Sequence, residues 1–130
     1  MIRFASAASI LKAGIVVTVE EIEAVTRRGQ DLAETIRYYL QDAYASWELD
    51  YVLLGGDTDV IPTRFVSSTY YPQGGQTEIP ADMYFAGLDG NWNADGDAVY
   101  GEPYRSGADP GDFADFVPEL AIGRAPVPFF

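Results

Sequence analysis

The order of apolar and polar positions predicts alternating strands and helices. Residues 14–19 (GIVVTV) form a β-branched apolar run, which is typical of a buried strand. Thr18 and Glu21 have the three-residue spacing of a capping box, so a short helix is predicted to begin here. Ile22 and Val25 would lie on the apolar face of that helix.

The clearest helix is predicted between Asp31 and Trp47. Apolar residues recur in this segment at spacings of three and four, which places them in one stripe along a helix. Asp31 stands where an N-cap is expected, and Glu34 lies in the first turn, where the helix dipole favours a carboxylate. We expect the whole stripe, aromatic residues included, to pack in the core. Its members are Leu32, Ile36, Leu40, Ala43, Tyr44 and Trp47.

A short apolar run ended by glycines, residues 51–56 (YVLLGG), is typical of a central parallel strand. The order of strand, helix and strand predicts a right-handed βαβ unit. Further short strands are predicted at residues 83–88 and 120–123. Residues 62–80 and 101–115 are rich in glycine, proline and polar residues, so they are predicted to be long loops.

These elements predict an α/β fold with a largely parallel sheet and flanking helices, in a single domain over residues 1–130. Apolar residues make up 48% of the chain, which argues against disorder. The formal net charge of -12 disfavours binding to nucleic acid or anionic membranes and is compatible with cation binding. No run approaches the roughly 18 apolar residues of a membrane span. Residues 1–17 are interpreted as mature sequence and not as a signal peptide.

The chain contains neither cysteine nor histidine. It therefore has no disulfide, no Cys–His or Ser–His catalytic pair, and no zinc site built from thiolate or imidazole. Any reaction carried out by these residues must therefore use carboxylates, hydroxyls or a bound cation.

One acidic motif, GGDTD, follows the predicted central strand. Asp57 and Asp59 stand at its carboxyl end, where open α/β sheets bind ligands. In phosphatases of the haloacid dehalogenase class, such a pair holds magnesium or supplies a nucleophile, with a downstream lysine. The sole lysine here, Lys12, is upstream. A tight turn in which Asp57 accepts backbone hydrogen bonds is therefore favoured over a magnesium-dependent phosphotransferase.

A second motif, NWNADGDAVYGE at residues 91–102, is called the cation loop below. It follows the calcium-loop pattern D-x-[DN]-x-[DN]-G-x5-E with asparagine in place of aspartate at position 1. Neither flank is predicted to be helical, and a hairpin turn rich in Asn, Asp and Gly is the alternative. The expected ion is calcium. The expected ligands are Asn91, Asn93, Asp95, Asp97 and Glu102, with Asp89 as an additional ligand.

Several blocks together resemble the gingipain-type cysteine peptidases of the caspase-like clan. The most specific combination is strand-GGDTDVIP followed by P-x-D-x-Y-x-x-x-L-D-G and P-E-x-x-x-G-R. The resembling blocks span most of the chain. They are VTVEEIEA (17–24), IRYYLQDAYASW (36–47), YVLLGGDTDVIPTR (51–64), IPADMYFAGLDGNWNADGDAVYGE (79–102) and FVPELAIGRAPV (116–127).

The resemblance implies an α/β sandwich and secreted or cell-surface proteolysis by a cysteine paired with a histidine. In the family those two residues lie beyond the block that matches residues 118–127, so no catalytic residue is carried over. The chain would then be the non-catalytic first subdomain, inactive alone, with the rest of the peptidase domain as its partner. Asp57 and Asp82 would organise loops at strand ends, and Arg124 would pair with a carboxylate that the sequence does not identify.

Two further expectations follow from this interpretation. An apolar face normally covered by the partner would be exposed in the isolated chain, which predicts self-association. The alternative function is a stand-alone calcium-dependent binding or adhesion module.

Overall fold

The computed structural model describes residues 2–5, 14–67, 79–103, 106–107 and 111–126. The elements in chain order are β1 (Ile2–Ala5), β2 (Gly14–Val17), α1 (Val19–Val25), α2 (Leu32–Trp47), β3 (Tyr51–Gly55), β4 (Arg64–Val66), β5 (Ile79–Ala81), α3 (Met83–Ala86), β6 (Gly90–Asn91), β7 (Phe113–Ala114) and β8 (Ala121–Ala125).

Four strands form the main sheet in the order β2-β1-β3-β8. β3 and β8 pair in parallel, whereas β1 is antiparallel to both β2 and β3. The α/β class is therefore confirmed, with one parallel pair and two antiparallel pairs in the sheet. β2 and β3, the two strands of the expected βαβ unit, run parallel to each other with β1 between them. β1 was not predicted, because four residues carry too little periodicity to identify a strand.

The short helix α1 begins as its sequence predicts. The Thr18 hydroxyl accepts a hydrogen bond from the backbone N–H of Glu21 at 3.2 Å, and Glu21 Oε2 accepts one from the N–H of Thr18 at 2.8 Å. Ile22 is fully buried, but Val25, the last residue of α1, is exposed. The expectation that Val25 shares the buried face is wrong, since the helix ends before another turn can pack.

The long helix α2 also has its predicted start, with Asp31 Oδ1 accepting from Glu34 N–H at 2.9 Å. Ile36 and Leu40 are fully buried in the hydrophobic core, which also contains Ile22 of α1 and Leu54 of β3. Tyr44 and Trp47 are exposed, so the assignment of the aromatic residues to the core is wrong at these two positions. Both residues lie in the C-terminal half of α2, which ends at Trp47.

Two other segments bear on the site. Residues 83–88 were predicted to be a strand, but Met83–Ala86 form the helix α3, and Tyr84, Phe85 and Ala86 are buried. A short apolar run fits either element when it is buried, so periodicity could not separate them. The predicted strand at 120–123 is confirmed and extends to Ala125 as β8.

Two small antiparallel pairs follow β3, β4 with β5 and β6 with β7. β4 and β7 lie within the predicted loops, β5 begins within the first of them, and β6 lies at the start of the cation loop. Residues 68–78, 104–105 and 108–110 of these loops lie outside the described residues. None of the helices in the described part is long and apolar enough to cross a membrane.

Candidate functional site

The cation loop is built from successive turns in which a side chain accepts a backbone hydrogen bond. Asn91 Oδ1 accepts from Asn93 N–H at 3.0 Å, and Asp95 Oδ1 accepts from Asp97 N–H at 3.1 Å. Asp97 Oδ1 accepts from Val99 N–H at 2.6 Å. Asn and Asp side chains stabilise turns in this way, so the same residues that suggest a calcium loop also fold it locally.

Three of the expected ligands converge. Asp95, Asp97 and Glu102 each offer a carboxylate oxygen, and these oxygens lie within 4.8 Å of one another. Calcium–oxygen bonds of about 2.3–2.6 Å allow two ligands of one ion to be about 5 Å apart, so these oxygens are within reach of a single ion. Gly96, at the position where the pattern requires a sharp turn, has φ 76°, a conformation that glycine adopts without strain. We call these three carboxylates the acidic triad.

Asn93, another of the expected ligands, has a side-chain amide in an unusual environment. Its Nδ2 donates to the Asp97 carbonyl at 2.8 Å, whereas its Oδ1 is buried without a hydrogen-bond partner in the described part of the chain. A buried acceptor without a donor is unfavourable, and a cation would satisfy it. An all-oxygen donor set with three carboxylates is the chemistry that calcium prefers. The residues therefore fit calcium.

Asp89 lies in a different acidic cluster, with Asp115 and Glu119. Glu119 Oε2 accepts hydrogen bonds from the backbone N–H groups of Leu88 and Asp89. Asp115 Oδ1 accepts from Val117 N–H at 2.8 Å. The structure thus groups Asp89 with carboxylates that stabilise backbone turns, and it does not place Asp89 in the acidic triad.

Arg37 of α2 holds the segment that leads into the cation loop. Its guanidinium Nε donates to the Tyr84 carbonyl at 3.0 Å, and Nη2 donates to the carbonyls of Gly87, Leu88 and Asp89 at 2.9, 3.0 and 3.3 Å. The residue is only 6% exposed, and this burial lowers the pKa of Arg37 from its ordinary value. Sequence reasoning missed it, since an arginine within a helix normally points to solvent.

The carboxyl end of β3 is held by a second arginine. Arg124 Nε and Nη2 contact Asp82 Oδ2 and Oδ1 at 2.7 and 2.8 Å. Arg124 Nη1 donates to the carbonyls of Gly56 and Ile61 at 3.0 and 2.7 Å, and the Thr63 hydroxyl donates to Asp82 Oδ1 at 3.1 Å. Asp82 is therefore the partner of Arg124 that the sequence left open, and the pair fixes the loop after β3.

Asp57 and Asp59 form a turn and are both exposed. Asp57 Oδ1 accepts from Thr58 N–H at 2.7 Å, and the Asp57 carbonyl accepts from Val60 and Ile61 N–H at 3.0 and 2.9 Å. Within the described residues, neither carboxylate joins a cluster of three acidic groups. This geometry supports the tight turn and gives no support to a magnesium-dependent phosphotransferase.

A polar cavity of about 290 Å³ lies beside the cation loop, and its lining includes Glu34, Arg37, Tyr84, Asn91 and Asn93. Burial raises the pKa of Tyr84 to about 12 against the opposing effect of Arg64, so its hydroxyl stays protonated at neutral pH. With no cysteine or histidine in the chain, the cavity offers neither a thiolate nor an imidazole. Its polar lining includes the hydroxyl of Tyr38, which donates to Glu34 Oε1 at 3.3 Å.

Comparison with known proteins identifies a family. The sequence model of peptidase family C25 matches residues 9–128, which includes the cation loop and both arginine-centred networks. No curated protein and no solved structure gives a significant match.

Proposed function

The chain belongs to peptidase family C25, and we propose that it forms the non-catalytic, N-terminal part of a gingipain-like cysteine endopeptidase domain. One observation carries this proposal: a match to a peptidase family over residues 9–128 in a sequence without cysteine or histidine. The nucleophile and its base must then be supplied by other residues of the peptidase domain. This chain would then have a structural role in the peptidase domain. Because of the family resemblance, we also propose that the peptidase is secreted or displayed at the cell surface.

The main sheet offers a surface for that partner. One face contributes Ile2, Val52 and Leu54 to the core that also contains residues of α1 and α2. The opposite face carries Val16, Tyr51 and Leu53, which are 53%, 47% and 45% exposed. Arg3 pairs with both Val16 and Leu53, so these two side chains share that face. Sheets with parallel strands are usually covered on both faces, and we propose that the rest of the peptidase domain covers these half-exposed residues. We call this surface the open sheet face.

The test compares the isolated chain with the full peptidase. The isolated chain is expected to self-associate through the open sheet face, so its sedimentation coefficient should rise with concentration, and it should not cleave peptides. The full-length protein should cleave peptides and lose that activity on thiol alkylation, which cannot modify this chain because it has no cysteine.

Substitution at the open sheet face makes this test specific. Leu53→Lys should reduce self-association of the isolated chain, because it places a charge in the apolar surface. Val25→Lys serves as the control, since Val25 is also apolar and, at 72%, more exposed than Leu53, but it lies on α1. Peptide cleavage by the isolated chain, or a full-length protein without a Cys–His pair, would overturn the proposal. If the isolated chain is monomeric at all concentrations, the proposed role of the open sheet face is excluded.

The proposal includes a calcium ion bound by the cation loop. The residues that would hold it are Asn93, Asp95, Asp97 and Glu102, with Asn91 at the first position of the pattern. When bound, the ion would neutralise repulsion among the acidic triad and satisfy Asn93 Oδ1. Its role is to hold the loop rigid at the surface of the subdomain. Calcium-dependent adhesion by a stand-alone module remains the second candidate function, because Asp95 and Asp97 are exposed to an external ligand.

Calcium is expected to raise the Tm of the chain, since a ligand that binds only the folded state stabilises it. At a hundredfold excess over Kd the gain is about 2.7 kcal/mol, or roughly 10 °C for a domain of this size. The calcium-dependent shift should be lost in Glu102→Gln and reduced in Asp95→Asn. Asp59→Asn, which removes an exposed carboxylate outside the loop, should keep the full shift. Scanning calorimetry with and without calcium measures the shift in Tm. A shift in Glu102→Gln equal to that of the wild type would exclude the loop as the calcium site.

A further inference from the structure

Asp112 connects two distant positions of the cation loop. Its Oδ1 accepts a hydrogen bond from Ala94 N–H, and its Oδ2 accepts one from Glu102 N–H at 3.1 Å. Asp112 is only 8% exposed. A single buried carboxylate therefore ties the fourth and twelfth positions of the loop together.

The backbone of Asp112 is itself held against the end of the loop. Its N–H donates to the Glu102 carbonyl at 2.8 Å. The preceding Gly111 has φ 67°, and a Cβ at this residue would lie 2.5 Å from the Pro103 carbonyl and 2.6 Å from the Glu102 carbonyl. The close approach requires glycine at this position. Gly111 therefore allows the backbone to hold Asp112 against the end of the loop.

We propose that Asp112 is the positioning residue of the cation loop, which orders Glu102 relative to the first half of the loop before a cation binds. The inference rests on the calcium binding proposed above. Hydrogen bonds from N–H groups to a buried carboxylate are stronger than neutral ones, so they restrict the loop effectively. A restricted loop loses less conformational freedom on binding, and this raises its affinity. Asp112 acts through Ala94 and Glu102 and is not counted among the ligands.

The test measures the Kd for calcium by titration calorimetry on the 130-residue chain, well below its Tm. Asp112→Asn keeps the size of the side chain but replaces one acceptor with an NH₂ group, so one of the two N–H bonds is lost. We expect its Kd to rise about tenfold or more, as for other groups that orient metal ligands. Without calcium, the amides of Ala94 and Glu102 should exchange faster with solvent in Asp112→Asn than in the wild type.

Two controls separate positioning from charge and from stability. Asp115→Asn removes the same charge from a carboxylate that accepts Val117 N–H outside the loop, and its Kd should stay within about twofold of wild type. Asp112→Glu keeps the charge but moves the carboxylate by one methylene, so its Kd for calcium should rise. If Asp112→Asn is unfolded, this variant tests the positioning role of Asp112.

The outcomes distinguish the two proposals. Calcium binding by the wild type with an unchanged Kd in Asp112→Asn and Asp112→Glu would overturn the positioning role alone. An equal loss of affinity in Asp115→Asn would show that charge, and not positioning, is responsible. No calcium binding by the wild type would overturn both the proposed ion and this inference, while leaving the peptidase assignment standing.

Discussion

Arg37→Met is expected to lower the free energy of unfolding by about 3–5 kcal/mol. The substitution removes the guanidinium donor from four carbonyls, those of Tyr84, Gly87, Leu88 and Asp89. The Gly87 carbonyl keeps the indole N–H of Trp92 at 3.2 Å, and the Leu88 carbonyl keeps the side-chain amide of Gln41 at 2.9 Å. Each buried carbonyl that loses its partner costs about 1–3 kcal/mol, reduced where water or a neighbour such as Gln41 compensates. Since domains are stable by only about 5–15 kcal/mol, this single change removes a large part of the total.

Urea denaturation measures the effect as a lower midpoint with an unchanged m-value. Arg37→Lys should be intermediate, because one ammonium group cannot span carbonyls that the guanidinium fork reaches. Arg27→Met is the matched control: Arg27 is exposed and, among the described residues, donates only to the Ala24 carbonyl at 3.3 Å, so a change within about 0.5 kcal/mol is expected. A loss under about 1 kcal/mol for Arg37→Met would contradict the buried-network interpretation.

Asp82→Asn is expected to cost about 2–3 kcal/mol. The side chains of Arg124 and Asp82 are 13% and 27% exposed, so removing the carboxylate leaves a largely buried guanidinium without its counter-charge. The full cost of breaking a buried pair is about 3–5 kcal/mol, and the partial exposure of Asp82 reduces it. The turn at Val60 and Ile61 should loosen as well, because Arg124 also holds the Ile61 carbonyl.

An exposed ion pair provides the comparison. Arg28 and Asp42 are 54% and 62% exposed at a similar distance of 2.8 Å, so Asp42→Asn should cost less than about 1 kcal/mol. In a double-mutant cycle, Asp82→Asn with Arg124→Met should be less destabilised than the sum of the single variants, because the unpaired charge is gone. Equal costs for Asp82→Asn and Asp42→Asn would show that burial does not strengthen the Arg124 pair.

The elements that sequence predicted well are those with local signals. The capping box at Thr18 and the N-cap at Asp31 set helix starts through contacts three residues apart, so the pattern alone contained them. β1 and the pairs β4–β5 and β6–β7 are defined by distant partners, which periodicity does not record. α3 was assigned as a strand because burial on all sides erases the difference between the two periods.

The same distinction applies to the candidate site. Asp95, Asp97 and Glu102 were identified by spacing, and the structure brings their carboxylates together because they share one short loop. Arg37 and Asp112 were missed, since each acts on residues far away in sequence or on backbone groups that any residue type carries. Residues that support a site through main-chain contacts leave no motif, and only the fold reveals them.

The late position of β8 has a consequence for biosynthesis. β3 is paired on one side by β1, but its other edge is completed only by residues 121–125, with Tyr51 opposite Ala121. A nascent chain therefore carries β3 with an open edge until β8 has been made, and open strand edges promote association with other chains. Long-range pairing of this kind also slows folding. Released chains that end before residue 121 are expected to associate more strongly than the chain that includes β8, and sedimentation of the two would compare them.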